Sequence, residues 1–278
     1  MTRFAVRAAL GYDAIVSLPQ PGDDFEWRRH DARLSLVCRA LEPHATHLFT
    51  TRSWRLGNAL DERDAGWIEV ARAMSVDAAH LLRARQVHGA SVVVHRRGPG
   101  PARGEPLPHA DILVSDDPSI ALAIQTADCV PLLMADRRTG AVAAAHAGWR
   151  GLSARVPAVA VGALADAFGS RASDLIVAIG PSICAQKYEV DAVVRDAFAA
   201  GDSSEAELAR WFLPGIRPQH WQFDGWRTAL DQLERAGVAT AAVHGAGLCS
   251  ATHPQLCSYR RDGAGAGRMA AAIRARSR

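Results

Sequence analysis

A chain of 278 residues, 49% of them hydrophobic, is long enough to bury a sizeable core, and a formal net charge of +3 leaves no basic surplus that argues for nucleic acid. Five scattered cysteines make a poor disulfide framework and fit a reducing compartment, while the lack of any run of about 18 apolar residues argues against a membrane span. The N-terminus shows no basic-then-apolar leader pattern, since Asp13, Asp23 and Asp24 interrupt it, so a cytoplasmic protein is expected.

In chain order, residues 1–43 read as an N-terminal extension, with a turn or linker at 19–24, ahead of one domain over residues 44–278. Short apolar runs bounded by turn residues predict strands at 47–51, 92–95, 111–114, 121–125, 130–135, 141–146, 175–179 and 239–244. Helices are expected at 65–74, 152–168, 192–200, 205–212 and 226–236, the last with an Asp224-Gly225 start and a Gly237 stop. Residues 98–108 hold four prolines and three glycines and read as a surface loop. Mixed strands and helices indicate an α/β or α+β fold, a single layered domain built on mixed sheets.

Three segments carry the chemistry: QVHG (86–89), ADC (127–129) and HAGWRG (146–151). Each puts His88, Cys129 or His146 on a turn after a strand-like run. Two imidazoles and a thiolate suit a borderline-soft ion such as Zn²⁺, and three protein ligands leave one position open, as at catalytic zinc sites. No two of the three lie close enough in sequence to form a local motif, so only the fold can unite them. Gly148 and Gly151 permit a turn or a close backbone approach beside His146. Taken singly, each ligand reads as a packed core residue; it is the joint pattern that points to a metal.

Arg52, Arg150, Arg260 and Arg261 offer planar guanidinium groups suited to phosphate or carboxylate, Arg150 foremost because it lies four residues past His146. Asp111 has three readings: orienting a metal-bound histidine, accepting a substrate hydroxyl, or capping a turn. His44 and His47 share helical spacing, but Pro43 and the strand-like run that follows argue against a shared face and a metal role. Cys184, Cys249 and Cys257 read as small packed residues, and Glu189 as a salt-bridge partner rather than a proton shuttle.

The chain resembles the laccase-domain family, also called YfiH-like or multicopper polyphenol oxidase-like, over residues 47–270. The resemblance is carried by HLFTTR (47–52), RQVHGASV (85–92), HADILVS (109–115), TADCVPLL (126–133), AAAHAGWRGL (143–152), AIGPSI with YEV (178–183, 188–190) and SYRRDG with GRMA (258–263, 267–270). It implies a fold of the family's own α/β type, with a metal held by His88, Cys129 and His146. It further implies a purine nucleoside enzyme that phosphorolyses adenosine, inosine and methylthioadenosine and deaminates adenosine. The partners so implied are small-molecule purine nucleosides and phosphate, with substrate-binding roles for Arg52, Arg150, Asp111 and Arg260. The chain departs from the family's pattern in three places. Residues 53–58 replace a Gly-Gly-Val-Ser turn and shorten the loop that follows, Gln186 and Lys187 replace a cysteine pair, and Cys257 replaces an aromatic residue.

The family's oxidase label is not supported by the histidines: none of the 11 forms the His-X-His pairs that a trinuclear copper cluster needs. Copper can still enter a His₂Cys site, because it outranks zinc in affinity for such ligands, and weak phenol oxidation follows as a side reaction. The H-x-E and P-C-x-x-C signature of the zinc nucleobase deaminases is absent. The same three residues also allow a Cys-His hydrolase with Cys129 as nucleophile and His146 or His88 as base, or a metal-dependent binding module.

Overall fold

The computed structural model describes residues 18–57, 65–98 and 106–277. Residues 58–61, where the shortened stretch ends, and 99–105 of the Pro/Gly-rich segment lie outside the described residues, as does Asp13.

The chain runs β1 (Phe25–His30), β2 (Arg33–Cys38), β3 (Ala45–Thr50), α1 (Ala65–Ala73), β4 (Leu81–Leu82), β5 (Val92–His95), β6 (Ile112–Ser115), β7 (Ala121–Thr126), β8 (Val130–Asp136) and β9 (Val142–Ala147). It continues through α2 (Trp149–Ser153), α3 (Val156–Phe168), β10 (Leu175–Ile179), β11 (Glu189–Asp191), α4 (Ala192–Ala199), α5 (Glu205–Trp211), β12 (Phe212–Pro214) and β13 (His220–Phe223). Then follow α6 (Gly225–Arg235), β14 (Val243–Gly245), α7 (Tyr259–Asp262) and β15 (Met269–Ala275). Two six-stranded sheets have the orders β1-β2-β3-β15-β7-β4 and β14-β10-β8-β9-β6-β5, and a small sheet has the order β11-β13-β12. The mixed α and β layers are those of the expected class.

Strand alternation builds the layers. Leu122 and Ile124 of β7 and Ala271 and Ile273 of β15 face a core shared with Leu133 of β8 and Ala144 of β9, so the two large sheets pack face to face. The opposite faces are covered as well. Ala121, Ala123 and Ala272 pack with Trp67 and Val70 of α1 and with Met74 just past its end. Leu132, Met134, Ala143 and Ala145 pack with Leu164 of α3 and Leu233 of α6. Both faces of β8 and β9 are therefore apolar, which is why their sequences read as continuous apolar runs.

The structure corrects the sequence reading in several places. The expected helix at 152–168 is two helices, α2 and α3, separated by Arg155 at φ 57°. Pro157 has no N–H and its ring opposes the carbonyl four residues back, so α2 cannot run through it. The expected strand at 239–244 is a single 3₁₀ turn over Thr240–Ala242 followed by the three residues of β14. From Phe25 onward, the segment set apart as an extension supplies the β1–β2 hairpin at the edge of the first sheet, with Phe25 and Leu36 in its core. Strands β1, β2, β4, β11, β12, β13 and β15 are further elements that the sequence did not signal. Among the described residues no helix is long and apolar enough to cross a membrane.

Candidate metal centre and cleft

Strand pairing assembles the candidate ligands. Antiparallel β8 and β9 pair Pro131 with His146, so Cys129, two residues before Pro131, reaches the same end of the sheet. Asp111 precedes β6 on the other side of β9 and accepts the His146 backbone N–H at 2.8 Å. His88 lies between β4 and β5 at φ 59°, a left-handed conformation unusual for a residue with a side chain. The donor atoms of His88, Cys129 and His146 lie within 4.8 Å of one another, and the two imidazole rings stand edge to face at 4.9 Å. His146 is buried, Cys129 half-buried and His88 exposed, so the group opens to one side.

Asp111 organises the group from behind. Its fully buried carboxylate accepts the N–H groups of Val87 (3.2 Å), His88 (3.1 Å) and Gly89 (2.7 Å), and Nδ1 of His146 at 2.8 Å. Burial opposes its charge, but the His146 imidazole and these amides hold the carboxyl below its ordinary range. Holding Nδ1–H leaves Nε2 of His146 as the free lone pair, while the three amides pin the turn that carries His88. Asp111 thus fixes both histidines at once.

Burial also opposes charge on Cys129 and His146, yet each is the other's counter-ion. With help from His88, the Cys129 thiol is brought down to about 6; the thiolate and Asp111 together push His146 up. Gly148 closes the back of the group: a Cβ there would stand 2.9 Å from Cys129 Sγ and 3.2 Å from His88 Cδ2. An ionisable thiol, two imidazoles, a carboxylate behind one of them and a backbone drawn tight against the sulfur fit a soft-to-borderline metal ion.

The triad opens into a cleft of about 480 Å³. Its polar lining includes Gln86, Gln125, Thr126 and Arg268; Gln86 clamps the end of β7 by donating to Gln125 O (2.8 Å) and accepting from Gln125 N (2.7 Å). Its apolar and aromatic lining includes Trp149, Leu152, Ile183, Tyr188 and Phe223. Tyr259 and Arg260 complete it. The Arg260 guanidinium lies 5.0 Å over the Tyr188 ring and donates to Glu189 O at 3.1 Å. Burial, with the Cys129 charge nearby, pushes the Tyr188 hydroxyl up, so it remains an O–H donor at neutral pH.

The arginines singled out in the sequence are placed differently from one another. Arg260 lines the cleft. Arg150 does not; its guanidinium stacks 4.2 Å from the ring of Trp149, which does. Arg52 pairs with Asp262, and Arg261 with Asp262 and the carbonyls of Ser250, His253 and Leu256, outside the lining. Asp111 sits behind the triad rather than on the wall. His47 is buried in β3 with Nε2 accepting from Cys38 N at 2.8 Å, remote in role from the centre. Glu189 pairs with Arg217. Cys184, Cys249 and Cys257 are buried and free. Sequence reasoning missed Gln86, Gln125, Asp128, Tyr259 and Arg268 as lining residues. Their one signal was proximity to ligands or to quoted segments. Among the described residues, no carboxylate pairs with Arg150 or Arg268.

A family model described as multi-copper polyphenol oxidoreductase laccase matches residues 62–276. A Deinococcus radiodurans protein named purine nucleoside phosphorylase is 38% identical over 250 residues, covering 85% of this chain and 92% of the relative. A Pseudomonas aeruginosa protein with the same designation is 40% identical over 178 residues, 64% of this chain and 67% of the relative. The crystal structure of YlmD from Geobacillus stearothermophilus superposes with a TM-score of 0.77 at 27% identity, covering 90% of this chain and 98% of that one. A Bacillus licheniformis hypothetical protein, YfiH, shares the fold, with a TM-score of 0.79 at 24% identity over 90% of this chain and 99% of that one.

Proposed function

The chain belongs to the multi-copper polyphenol oxidoreductase laccase family, and from that premise we propose that it is a purine nucleoside phosphorylase that uses a zinc ion held by His88, Cys129 and His146. The observation that carries this reading is one cleft that joins a triad able to hold a metal ion to aromatic rings and to the cationic side chains of Arg260 and Arg268. Zinc held by these residues would supply Lewis acidity.

The protein's own residues account for the rest. Flat apolar surface at Trp149, Tyr188 and Phe223 suits a purine, and the Tyr188 hydroxyl can donate to it. Phosphate is a dianion, and Arg260 and Arg268 are the guanidinium groups in the cleft lining that can hold it. In phosphorolysis a phosphate oxygen bonds to C1′ of the ribose as the C1′–N9 bond breaks. The base leaves with the electron pair and takes a proton, giving free base and ribose 1-phosphate. Adenosine, inosine and methylthioadenosine are the proposed substrates, with deamination of adenosine as a second activity at the same triad. Copper in the triad supports phenol oxidation only as a side reaction. Five free cysteines fit a reducing, cytoplasmic setting.

The lowered Cys129 thiol favours one competing reading, a metal-free thiol hydrolase. One experiment separates the two. Protein purified without added metal is analysed for zinc and incubated with inosine or adenosine, with and without phosphate. The expected result is about one zinc per chain and release of base and ribose 1-phosphate only with phosphate. Arg260→Ala and Arg268→Ala should each weaken turnover by about 3 kcal/mol in transition-state stabilisation, with metal retained. Full activity in metal-free protein favours the hydrolase, equal release without phosphate indicates hydrolysis, and no release rejects the phosphorylase.

A further inference from the structure

Asp128 stands directly before Cys129 with φ at 91°, outside the regions that side-chain-bearing residues normally occupy. Backbone strain of this kind persists only where the surroundings over-determine it. Here three segments distant in sequence converge on the one residue. Its Oδ1 accepts the Ser250 hydroxyl at 2.5 Å, its Oδ2 accepts the Arg260 N–H at 2.6 Å, and its carbonyl accepts the Ile183 N–H at 2.9 Å. Ile183 and Arg260 both line the cleft, as does Asp128 itself.

Both carboxylate oxygens are engaged by protein donors, so Asp128 is poorly placed to bind substrate. What it does is join the turn that presents Cys129 to the start of α7, whose residues Tyr259 and Arg260 form a cleft wall. From that anchored backbone the Arg260 side chain reaches over Tyr188 to Glu189 O. We propose that Asp128 is a positioning residue, whose strained turn and two-point carboxylate set the Tyr259–Arg260 wall in register with the Cys129 ligand. A cation and a metal ligand on unconnected segments must face one small substrate, and a shared rigid node holds their separation constant.

The chemistry of the node predicts which substitutions it tolerates. Asparagine accepts positive φ, can take the Arg260 N–H on its single oxygen and can donate its amide to Ser250 Oγ, so Asp128→Asn rescues the node. Glycine keeps the turn without strain but loses both links, so Asp128→Gly separates backbone geometry from side-chain anchoring.

The test is limited trypsinolysis of the full chain, following the Arg260–Arg261 bond by mass spectrometry, with zinc content and phosphate KM measured in parallel. Losing a charge-assisted hydrogen bond should make cleavage in Asp128→Gly about tenfold faster and raise phosphate KM about tenfold, with kcat changed less than about threefold and zinc retained. Asp128→Asn should stay within about threefold of wild type on every measure. If Asp128→Gly does not fold, Ser250→Ala carries the test, with cleavage expected to be about threefold faster. The kinetic arm rests on the phosphorylase reading and the proteolysis arm does not, so an inactive wild type rejects that reading alone. Wild-type cleavage rates in Asp128→Gly, or an Asp128→Asn protein as labile as the glycine variant, overturn the proposal.

Discussion

Replacing Gly148 by alanine tests whether the triad is a metal site by adding one methyl group and altering no ligand. Gly148 has φ −71° and ψ 177°, an extended conformation that alanine adopts freely, so the substitution brings no backbone strain. The added Cβ is the whole perturbation. It would lie 2.9 Å from Cys129 Sγ and 3.2 Å from His88 Cδ2, the first closer than carbon and sulfur can approach and the second tight. Neither neighbour can retreat without leaving its place: Cys129 is held just before β8 with its carbonyl accepting from Thr126 Oγ1, and the His88 backbone is tied to Asp111. Overpacking of this size costs about 1–3 kcal/mol. Because both displaced atoms belong to side chains of the proposed ligand set, the cost falls on ion binding, and zinc affinity should drop about 5- to 150-fold. Competition with a chromophoric chelator measures it, with thermal melting of the metal-free protein as the control for folding. Zinc affinity within twofold of wild type in a folded Gly148→Ala protein would refute the idea that these three side chains close on an ion.

Asp111→Asn leaves one acceptor for three amides and an imidazole, and zinc affinity should fall about 10- to 100-fold; equilibrium dialysis that shows no change contradicts the orienting role. In metal-free protein, alkylation of Cys129 by iodoacetamide should rise with a midpoint near pH 6 instead of near 9, and added zinc should suppress it; a midpoint in the ordinary thiol range, read by mass spectrometry, counts against the imidazole pairing. Burial lowers His47 from 6.5 to about 4, so the unfolded chain takes up this proton first and stability is lost as pH falls from about 6.5 toward 4. The loss attributable to His47 is about 3 kcal/mol, and His47→Gln should flatten the fall in melting temperature between pH 7 and 5; an equal slope in the variant would assign the acid sensitivity elsewhere.

Much of this protein was legible in its sequence because local chemistry decided it. The apolar runs of β7, β8 and β9 declared themselves because both faces of those strands are buried, and α6 because it begins with a side-chain cap at Asp224. His88, Cys129 and His146 stood out because nitrogen and sulfur donors after strand-like runs form a recognisable set. Sequence spacing could not show that they meet, since His88 and Cys129 lie 41 positions apart and the pairing of β8 with β9 and β6 with β9 closes that gap. Short strands such as β4, β11 and β12 carry too few residues for a period of two to register, and β15 is a run of alanines whose strand state is set by its neighbours β3 and β7. The cleft itself belongs to tertiary structure. Arg52 and Arg260 are alike as residues, but one is neutralised by Asp262 and the other projects over Tyr188 into the cavity, and an ion pair with a residue more than two hundred positions away leaves no local trace. The same holds for the positive φ of Asp128 and for the contact that demands glycine at position 148, both of which arise only when separate strands bring their ends together.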